Sequence, residues 1–214
     1  MRYYSKFKPC GRDAAISSES NQRPLLADEL CRWLEESRII PSVRTPENLL
    51  AACASPAKIV FLLFGTPLTI GDLASRVRSA GKLPIVNMDL MSGFARDSAA
   101  TEFLGKAGVA GIISTHQDAL RAARSHGLLS FQRTFALDSV AVANSMRTLE
   151  HFLPDVIELL PAIAAPVILP AVRSVRPKLP VIGCGLIRTL SQIDELVRQG
   201  VTSISVSDPS LWVV

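Results

Sequence analysis

Short, nearly continuous apolar segments alternate with amphipathic segments along most of this chain. Segments such as 59–64 and 156–160 are apolar at almost every position, as expected of strands that are covered on both faces. The segments between them repeat their apolar positions every three or four residues, which predicts helices. This order indicates an α/β fold with parallel strands, because each parallel pair needs a crossover connection.

Eight strands and seven intervening helices can be placed on this pattern. The strands are expected at 39–44, 59–64, 84–89, 110–114, 128–133, 156–160, 181–184 and 203–207. The helices are expected near 46–54, 70–80, 98–107, 117–125, 138–150, 163–174 and 190–199. Pro170 makes the sixth of these the weakest helical pattern, because proline removes a helical hydrogen bond. Eight such units predict a compact TIM-like (β/α)8 barrel with all strands parallel.

The start of the chain differs from the rest. Residues 1–24 are polar and are predicted to be a disordered tail, which leaves 25–214 as a single barrel domain. A helix is predicted at 25–37, because one face of this segment carries Leu26, Leu30, Trp33 and Leu34. No helix follows the eighth strand. We therefore expect the N-terminal helix to replace the missing eighth helix, so that deleting residues 1–37 should unfold the protein.

Composition narrows the class of protein. The 214 residues are 48% hydrophobic and 20% charged, which is ordinary for a folded domain. The first residues lack an apolar signal segment, no stretch suits a bilayer, and the four cysteines lack metal-binding spacing. We therefore expect a cytoplasmic protein with reduced thiols, no membrane partner and no metal or other cofactor. The net charge of +4 is compatible with an anionic ligand or with nucleic acid.

Functional groups of such barrels come from the carboxyl ends of the strands. The candidates there are Arg44, Asp89, Ser114, Arg133, Glu158, Gly185, Leu186 and Ser207. Two arginines and several hydroxyl groups predict an anionic, polyhydroxylated ligand. A Gly-x-Gly turn joins the seventh strand to its helix, and such turns let backbone N–H groups approach a phosphate. We assign the phosphate to Gly185, the N–H of Leu186 and Ser207.

Each candidate also has a structural interpretation. Arg44 and Arg133 could pair with Glu158 and Asp89 inside the barrel, which need not exclude contact with a ligand. Glu158 alternates with apolar neighbours, so it should point inward and needs a partner. Ser114 is a good helix N-cap by residue type, and His116 is expected to be a surface residue of the first helical turn.

The sequence offers little for catalysis. No lysine lies at the carboxyl end of a strand, so Schiff-base chemistry has no candidate. Asp89 and Glu158 could act as acid and base, but salt-bridged carboxylates are poor proton shuttles. We therefore predict no catalytic residue and expect a mouth that binds its ligand.

Basic residues also gather at the ends of helices, hence around the barrel floor. The candidates for contact with RNA are Arg121, Arg124, Arg173 and Arg176. Cations at helix C-termini complement the helix dipole, which is the structural alternative. The functional alternative is a basic rim for an RNA backbone.

Several motifs in order resemble the glycerol-3-phosphate-responsive antiterminators, the regulators of glycerol uptake operons. The resemblance covers residues from about 29 to 214. The matching segments are 39–44 (IIPSVR), 60–65 (VFLLFG), 89–93 (DLMSG), 111–115 (GIIST), 132–139 (QRTFALDS), 155–161 (DVIELLP), 185–187 (GLI) and 211–212 (LW). The chain departs from the family pattern around the mouth, at Asn87, His116, Ala162 and Cys184.

The resemblance implies a small barrel that binds glycerol 3-phosphate and, when loaded, binds leader mRNA so that polymerase reads through a terminator. The expected function is therefore a non-enzymatic regulator of glycerol uptake and catabolism genes. The main alternative is a phosphotriose or phosphosugar lyase or isomerase on the same scaffold. A third is a barrel that sequesters a phosphorylated metabolite without touching RNA. A homo-oligomer is compatible with the sequence.

Overall fold

Eight parallel strands close into a barrel in which neighbours in sequence are neighbours in space, and the last strand pairs with the first. The computed structural model describes the backbone of residues 22–213 and the side chains of residues 29–213. The strands are β1 (Ile39–Val43), β2 (Ile59–Leu62), β3 (Leu83–Asn87), β4 (Gly111–Ser114), β5 (Leu129–Phe135), β6 (Val156–Leu160), β7 (Val181–Cys184) and β8 (Ser203–Val206). The predicted TIM-like (β/α)8 barrel is confirmed.

Eight helices accompany the strands. They are α1 (Gln22–Glu36), α2 (Leu49–Ala54), α3 (Ile70–Ser79), α4 (Ser98–Lys106), α5 (Gln117–Ser125), α6 (Ser139–His151), α7 (Ala165–Val175) and α8 (Leu190–Arg198). Short 3₁₀ turns follow β1, β3, β6 and β8 at Pro46–Asn48, Met88–Leu90, Ala162–Ala164 and Pro209–Leu211. None of the helices among residues 22–213 is long and apolar enough to cross a membrane.

Local sequence explains where several elements begin. Asp97 and Asp138 each accept a hydrogen bond from a backbone N–H in the first turn of α4 and α6, respectively. Thr189 and Gln192 form a reciprocal capping box at the start of α8. The predicted third strand is too long at its end, because the Asn87 side chain accepts the Asp89 N–H and turns the chain into a 3₁₀ turn.

The barrel interior and the layer beneath the helices form two separate apolar clusters. Inside the barrel, the rings of Phe61 and Phe131 meet edge to face at 5.6 Å, with isoleucines of five strands around them. The outer cluster joins the strands to α2 through α8 and includes Leu211 and Trp212, which follow β8. The indole N–H of Trp212 donates to the Val206 carbonyl at 3.0 Å, which fixes this segment against β8.

Helix α1 brings the number of helices to eight, as expected, but it packs against the floor of the barrel and not against the outside of the sheet. Its buried residues Leu30 and Leu34 belong to the cluster inside the barrel, and α1 contacts β5 across the floor. The Ser203 hydroxyl of β8 donates to the Leu34 carbonyl at 2.6 Å. The helix therefore closes the barrel floor, while Leu211 and Trp212 cover the outside of β8. It begins at Gln22, so residues 22–24 of the predicted tail are helical, and the rest of that tail lies outside the described residues.

Candidate ligand-binding site

A polar cavity of about 290 Å³ opens at the mouth of the barrel, beside the carboxyl ends of β1, β7 and β8. Its walls are formed by Ser42, Arg44, Leu63, Arg133, Leu160, Cys184, Gly185, Leu186, Ile187, Ser205, Val206, Ser207 and Asp208. Five of the eight predicted ligand residues therefore lie in one pocket: Arg44, Arg133, Gly185, Leu186 and Ser207. Sequence reasoning missed Ser42 and Ser205 as pocket residues, although each stands two positions before a predicted one and so shares its face of the strand.

The turn after β7 has an unusual backbone. Gly185 and Leu186 are both left-handed, with φ of 79° and 62°, and Leu186 is the one non-glycine residue with positive φ among residues 22–213. Left-handed backbone costs a non-glycine residue roughly 1–2 kcal/mol, and such strain concentrates at functional sites. Alanine at 185 would be strained by the positive φ, and its Cβ would lie 2.5 Å from Leu160 Cδ1, so the Leu160 side chain would have to move.

This turn also presents free donors. The backbone N–H groups of Gly185, Leu186 and Ile187 meet no protein acceptor within the described part of the chain. Consecutive N–H groups at a left-handed turn form a concavity that suits an anion. The turn therefore has the donors that a phosphate group needs.

Arg44, which follows β1, and Ser207, which follows β8, lie beside this turn and form one corner of the cavity with it. Arg44 Nε donates to Ser207 Oγ at 3.1 Å, so the Ser207 hydroxyl hydrogen is free to donate elsewhere. Arg44 forms no salt bridge to any carboxylate of residues 29–213, so the expected alternative of an internal ion pair does not hold for it. Its terminal guanidinium nitrogens remain as cationic donors at the pocket.

Arg133 does have the internal partner that was considered for it. Its Nε donates to Glu158 Oε2 at 2.8 Å, and Ser205 Oγ donates to Glu158 Oε1 at 3.1 Å. Glu158 is fully buried and points inward as predicted, beneath the wall of the cavity rather than in it. Burial by itself lowers the pKa of Arg133, but the Glu158 carboxylate outweighs that effect and the pKa is raised. The carboxylate therefore holds a permanently charged arginine in place.

Asp89 and Ser114 lie across the mouth, outside this cavity. Asp89 accepts hydrogen bonds from Ser114 Oγ at 2.7 Å, the Thr115 N–H at 2.7 Å and Thr115 Oγ1 at 2.9 Å, and its Oδ1 lies 3.3 Å from His116 Nδ1. Burial alone would raise the pKa of Asp89, but the hydrogen bonds from Ser114 and Thr115 lower it below its ordinary value. Ser114 thus binds Asp89 and does not cap α5, whose N-cap position is His116.

The pocket has few groups suited to proton or covalent chemistry. Burial, reinforced by Glu158, raises the pKa of the Cys184 thiol far above its ordinary value, which keeps it protonated and unreactive. No lysine lines the cavity, and Lys82 on the floor donates to the carbonyls of Ser55 and Ala57. Residues 29–213 contain no cluster of three metal-ligating side chains.

The four predicted RNA-contacting arginines have local partners around the floor. Arg121 and Arg124 lie 5.8 and 5.9 Å from the ring of Phe152, and Arg124 also donates to the Leu153 carbonyl. Phe152 itself is buried, so its ring is covered and cannot stack on a base.

The other two arginines donate to backbone carbonyls. Arg176 donates to the carbonyls of Leu149 and Glu150 at 3.0 and 3.2 Å, which joins the end of α7 to the end of α6. Arg173 donates to the carbonyl of Leu179 in the loop before β7. All four residues therefore have structural contacts, whatever else they bind.

A second cavity, of about 480 Å³, also opens on the floor. Its walls are formed by Leu153, Pro154, Asp155, Arg176, Pro177, Lys178, Leu179 and Pro180. It is larger than the cavity at the mouth, but it lies at the amino ends of β6 and β7, and the surface that its residues expose inside it is almost entirely apolar. The mouth is where polar groups from several strands converge, so we take the smaller cavity as the candidate site.

The fold and this pocket define a (β/α)8 barrel with a polar, arginine-bearing site at the carboxyl ends of β1, β7 and β8. Among such barrels, the chain belongs to the glycerol-3-phosphate responsive antiterminator family, whose sequence profile matches residues 39–212. This confirms the resemblance that the motifs indicated.

Solved structures of similar proteins agree. A glycerol uptake operon antiterminator-related protein from Thermotoga maritima is 30% identical, with 82% of this chain and 98% of that chain covered at a TM-score of 0.74. A glycerol uptake operon antiterminator regulatory protein from Listeria monocytogenes is 28% identical, with 81% and 94% covered at a TM-score of 0.75. The uncharacterized protein YgcP of Escherichia coli is 28% identical over 184 residues, 86% of this chain and 95% of that protein.

An HpcH/HpaI aldolase from Desulfitobacterium hafniense also shares the architecture, with a TM-score of 0.62 but only 12% identity over 84% of this chain and 88% of that one. Likeness at that level shows the fold alone.

Proposed function

We propose that this protein is a transcription antiterminator that senses glycerol 3-phosphate and, when loaded, binds leader mRNA. Membership of the antiterminator family carries the proposal. The mouth supports it with free N–H groups after β7, the Ser207 hydroxyl and the unpaired charge of Arg44 at one corner of a small cavity. A phosphate fits that corner, and the side of the cavity bounded by Ser42 and Arg133 suits the hydroxyl groups of a triose.

The phosphate assignment is tested by thermal melting with glycerol 3-phosphate. A ligand that binds only the folded protein raises the melting temperature in a concentration-dependent way. At a ligand concentration of about 100 times the dissociation constant, it adds about 2.7 kcal/mol to the free energy of unfolding. Gly185→Ala should abolish this rise, because the new Cβ would displace Leu160 from the pocket wall.

Gly127→Ala is the matched control. Gly127 has a similar φ of 76°, but a Cβ there meets no atom within 4 Å, and the residue lies between α5 and β5 on the floor. This variant bears the same backbone strain and should keep the full ligand shift. An undiminished shift in Gly185→Ala would refute the phosphate assignment.

RNA binding is tested with the leader transcript of a glycerol uptake operon at low salt, with and without glycerol 3-phosphate. We expect the ligand to strengthen binding and rising salt to weaken it, because phosphate contacts release counterions. Ligand binding without any RNA affinity would instead indicate a barrel that sequesters the metabolite.

The enzymatic alternative is tested in the same samples. A lyase or isomerase would consume glycerol 3-phosphate or a related phosphotriose, whereas a sensor leaves the ligand unchanged over hours. Asp89 and Glu158 would have to act as its acid and base. The lowered pKa of Asp89 and the buried ion pair of Glu158 with Arg133 make these roles unfavourable at neutral pH. We therefore expect no turnover.

A further inference from the structure

Five large apolar side chains are exposed on one side of the barrel mouth. They are Phe135, Leu137, Val140, Ile163 and Val167, with exposed fractions of 40%, 76%, 66%, 70% and 83%. We call this set the apolar rim. Single exposed apolar residues are normal on a protein surface, but a contiguous group of them marks an interaction site.

The topology brings these residues together. Phe135 ends β5, and Leu137 and Val140 follow it into the first turn of α6. Ile163 and Val167 occupy the equivalent positions after β6, in the 3₁₀ turn and the first turn of α7. Strands β5 and β6 are hydrogen-bonded neighbours, and α6 contacts α7. The apolar rim is therefore one surface formed by two successive βα units.

The apolar rim itself carries no charge. No charged residue occurs from 139 to 146 or from 159 to 172, so the first half of α6 and nearly all of α7 are uncharged. An RNA backbone needs cations, which this surface lacks. The surface is thus suited to another protein.

Helix α6 is also less covered than its neighbours. Only Leu149 of its 13 residues is buried, whereas α5 and α7, with 9 and 11 residues, each bury four. Its apolar residues Val142 and Met146 remain partly accessible. A single chain leaves this helix incompletely packed.

We propose that the apolar rim and the outer face of α6 form the interface of a homodimer with two-fold symmetry. A two-fold interface pairs a patch with itself, so charges within it must be of both signs and must lie on opposite sides of the axis. The exposed stripe of α6 runs from Asp138 through Val140 and Ala143 to Arg147. Antiparallel packing of α6 on its copy places each arginine beside the aspartate of the other chain, with Ala143 near the crossing. It lays the apolar rim of each chain against the second halves of α6 and α7 of the other chain.

The size of the surface fits this occupant. A stable interface takes about 800 Å² from each partner. Helix α6 is about 20 Å long and α7 about 16 Å long at 1.5 Å per residue, and the two lie side by side. With the loops that carry Leu137 and Ile163, they offer an area on the order of what a dimer of standard size requires.

The test is the mass of the full-length protein in solution, measured by light scattering and sedimentation over a range of concentrations. We expect the wild type to be a dimer and the Leu137→Glu, Val167→Glu double variant to have half its mass. Both positions are highly exposed, so the variant should keep its circular dichroism spectrum and fold.

Leu68→Glu is the matched control, because Leu68 is 94% exposed and lies in the loop between β2 and α3, away from the rim. It should remain dimeric. A monomeric wild type at high concentration, or a double variant of unchanged mass, overturns the proposal. Loss of RNA affinity in the double variant without a change of mass would also overturn it, since the surface would then serve another partner. The masses do not depend on glycerol 3-phosphate, so this result is independent of the proposed function.

Discussion

Single residues at the mouth show how position decides the role of a charge. Arg133 and Arg44 both face the cavity, yet Arg133 is neutralised by a buried carboxylate and Arg44 is not. A buried ion pair is costly to break, because the remaining charge has no partner. Arg133 is thus a rigid, oriented donor, and Arg44 contributes the net positive charge that attracts an anion.

The pair of Arg133 and Glu158 could be predicted from sequence only as one of several possible pairings, because the strands could be placed but their register could not. Their register places them directly opposite each other. The left-handed Leu186 could not be predicted, because leucine gives no signal of positive φ. The sequence also could not predict that Asp89 lies outside the cavity, because this depends on the hydrogen bonds that Thr115 of the next βα loop donates to Asp89.

Thr134 is predicted to lower stability through its hydroxyl group. It is buried on β5, and its Oγ1 has no hydrogen-bond partner. Replacing an unsatisfied polar group by an apolar one of the same shape is neutral or stabilising, so Thr134→Val should add up to about 1 kcal/mol. At this chain length that is about 3 °C in melting temperature.

The control is a threonine that is equally buried but satisfied. Thr101 Oγ1 donates to the Asp97 carbonyl at 2.7 Å, so Thr101→Val should cost about 1 kcal/mol. Equal losses in the two variants would contradict the argument.

Asp89 should contribute to the acid sensitivity of the fold. Its pKa is lower in the folded protein than the ordinary value of 3.8, so it stabilises the fold above that value. This stability is lost as the pH falls through the lowered pKa. At neutral pH, the free energy of unfolding of Asp89→Asn should be lower than that of the wild type. It should decline less than that of the wild type between about pH 5 and about pH 2, the range in which native carboxylates take up protons.

Urea denaturation at a series of pH values measures this effect. Asp118→Asn, which changes a carboxylate with 91% side-chain exposure, serves as the control and should follow the wild type. An identical acid decline in Asp89→Asn would contradict the assignment.

At the scale of elements, all eight strands could be placed from the sequence. Strands such as β2 and β6 are nearly continuous apolar segments because a barrel strand is buried on both faces, whereas β5 and β8 include several polar residues. The location of α1 was harder to predict. Its apolar face was visible in the sequence, but an amphipathic helix can cover the outside of a strand or the end of a barrel equally well. The interior cluster, open at the floor, is what Leu30 and Leu34 cover.

Leu34→Ala should therefore destabilise the whole barrel. Removing a fully buried leucine side chain costs about 3 kcal/mol, including the cavity that it leaves at the floor. The neighbouring variant Glu35→Ala changes an exposed position of the same helix and should alter stability by less than about 0.5 kcal/mol. The midpoints of urea unfolding measure both. A small effect of Leu34→Ala would show that the barrel does not depend on α1.

At the scale of the molecule, the proposed ligand site and the basic residues lie at opposite ends of the barrel. The tightly packed interior, with Phe61 and Phe131 at its centre, separates them. If glycerol 3-phosphate strengthens RNA binding, the RNA must strengthen ligand binding by the same factor. Calorimetric titration of glycerol 3-phosphate, with and without saturating leader RNA, should give that equal ratio.

Reversing the charge of one arginine on the barrel floor tests whether this surface binds the RNA. Arg121→Glu changes an exposed arginine and should weaken RNA binding, while the affinity of the free protein for glycerol 3-phosphate stays the same. Unchanged RNA binding would move the RNA surface away from this part of the floor.

The contact between Arg44 and Ser207 joins residues that are 163 positions apart. During translation, Arg44 is synthesised long before Ser207, so the two residues can meet only after β8 has been made. A nascent chain that lacks β8 has neither a closed sheet nor the second wall of the anion corner. Ribosome-bound intermediates should therefore be unable to bind the proposed ligand, and a message interrupted before this strand would yield a product without the anion corner.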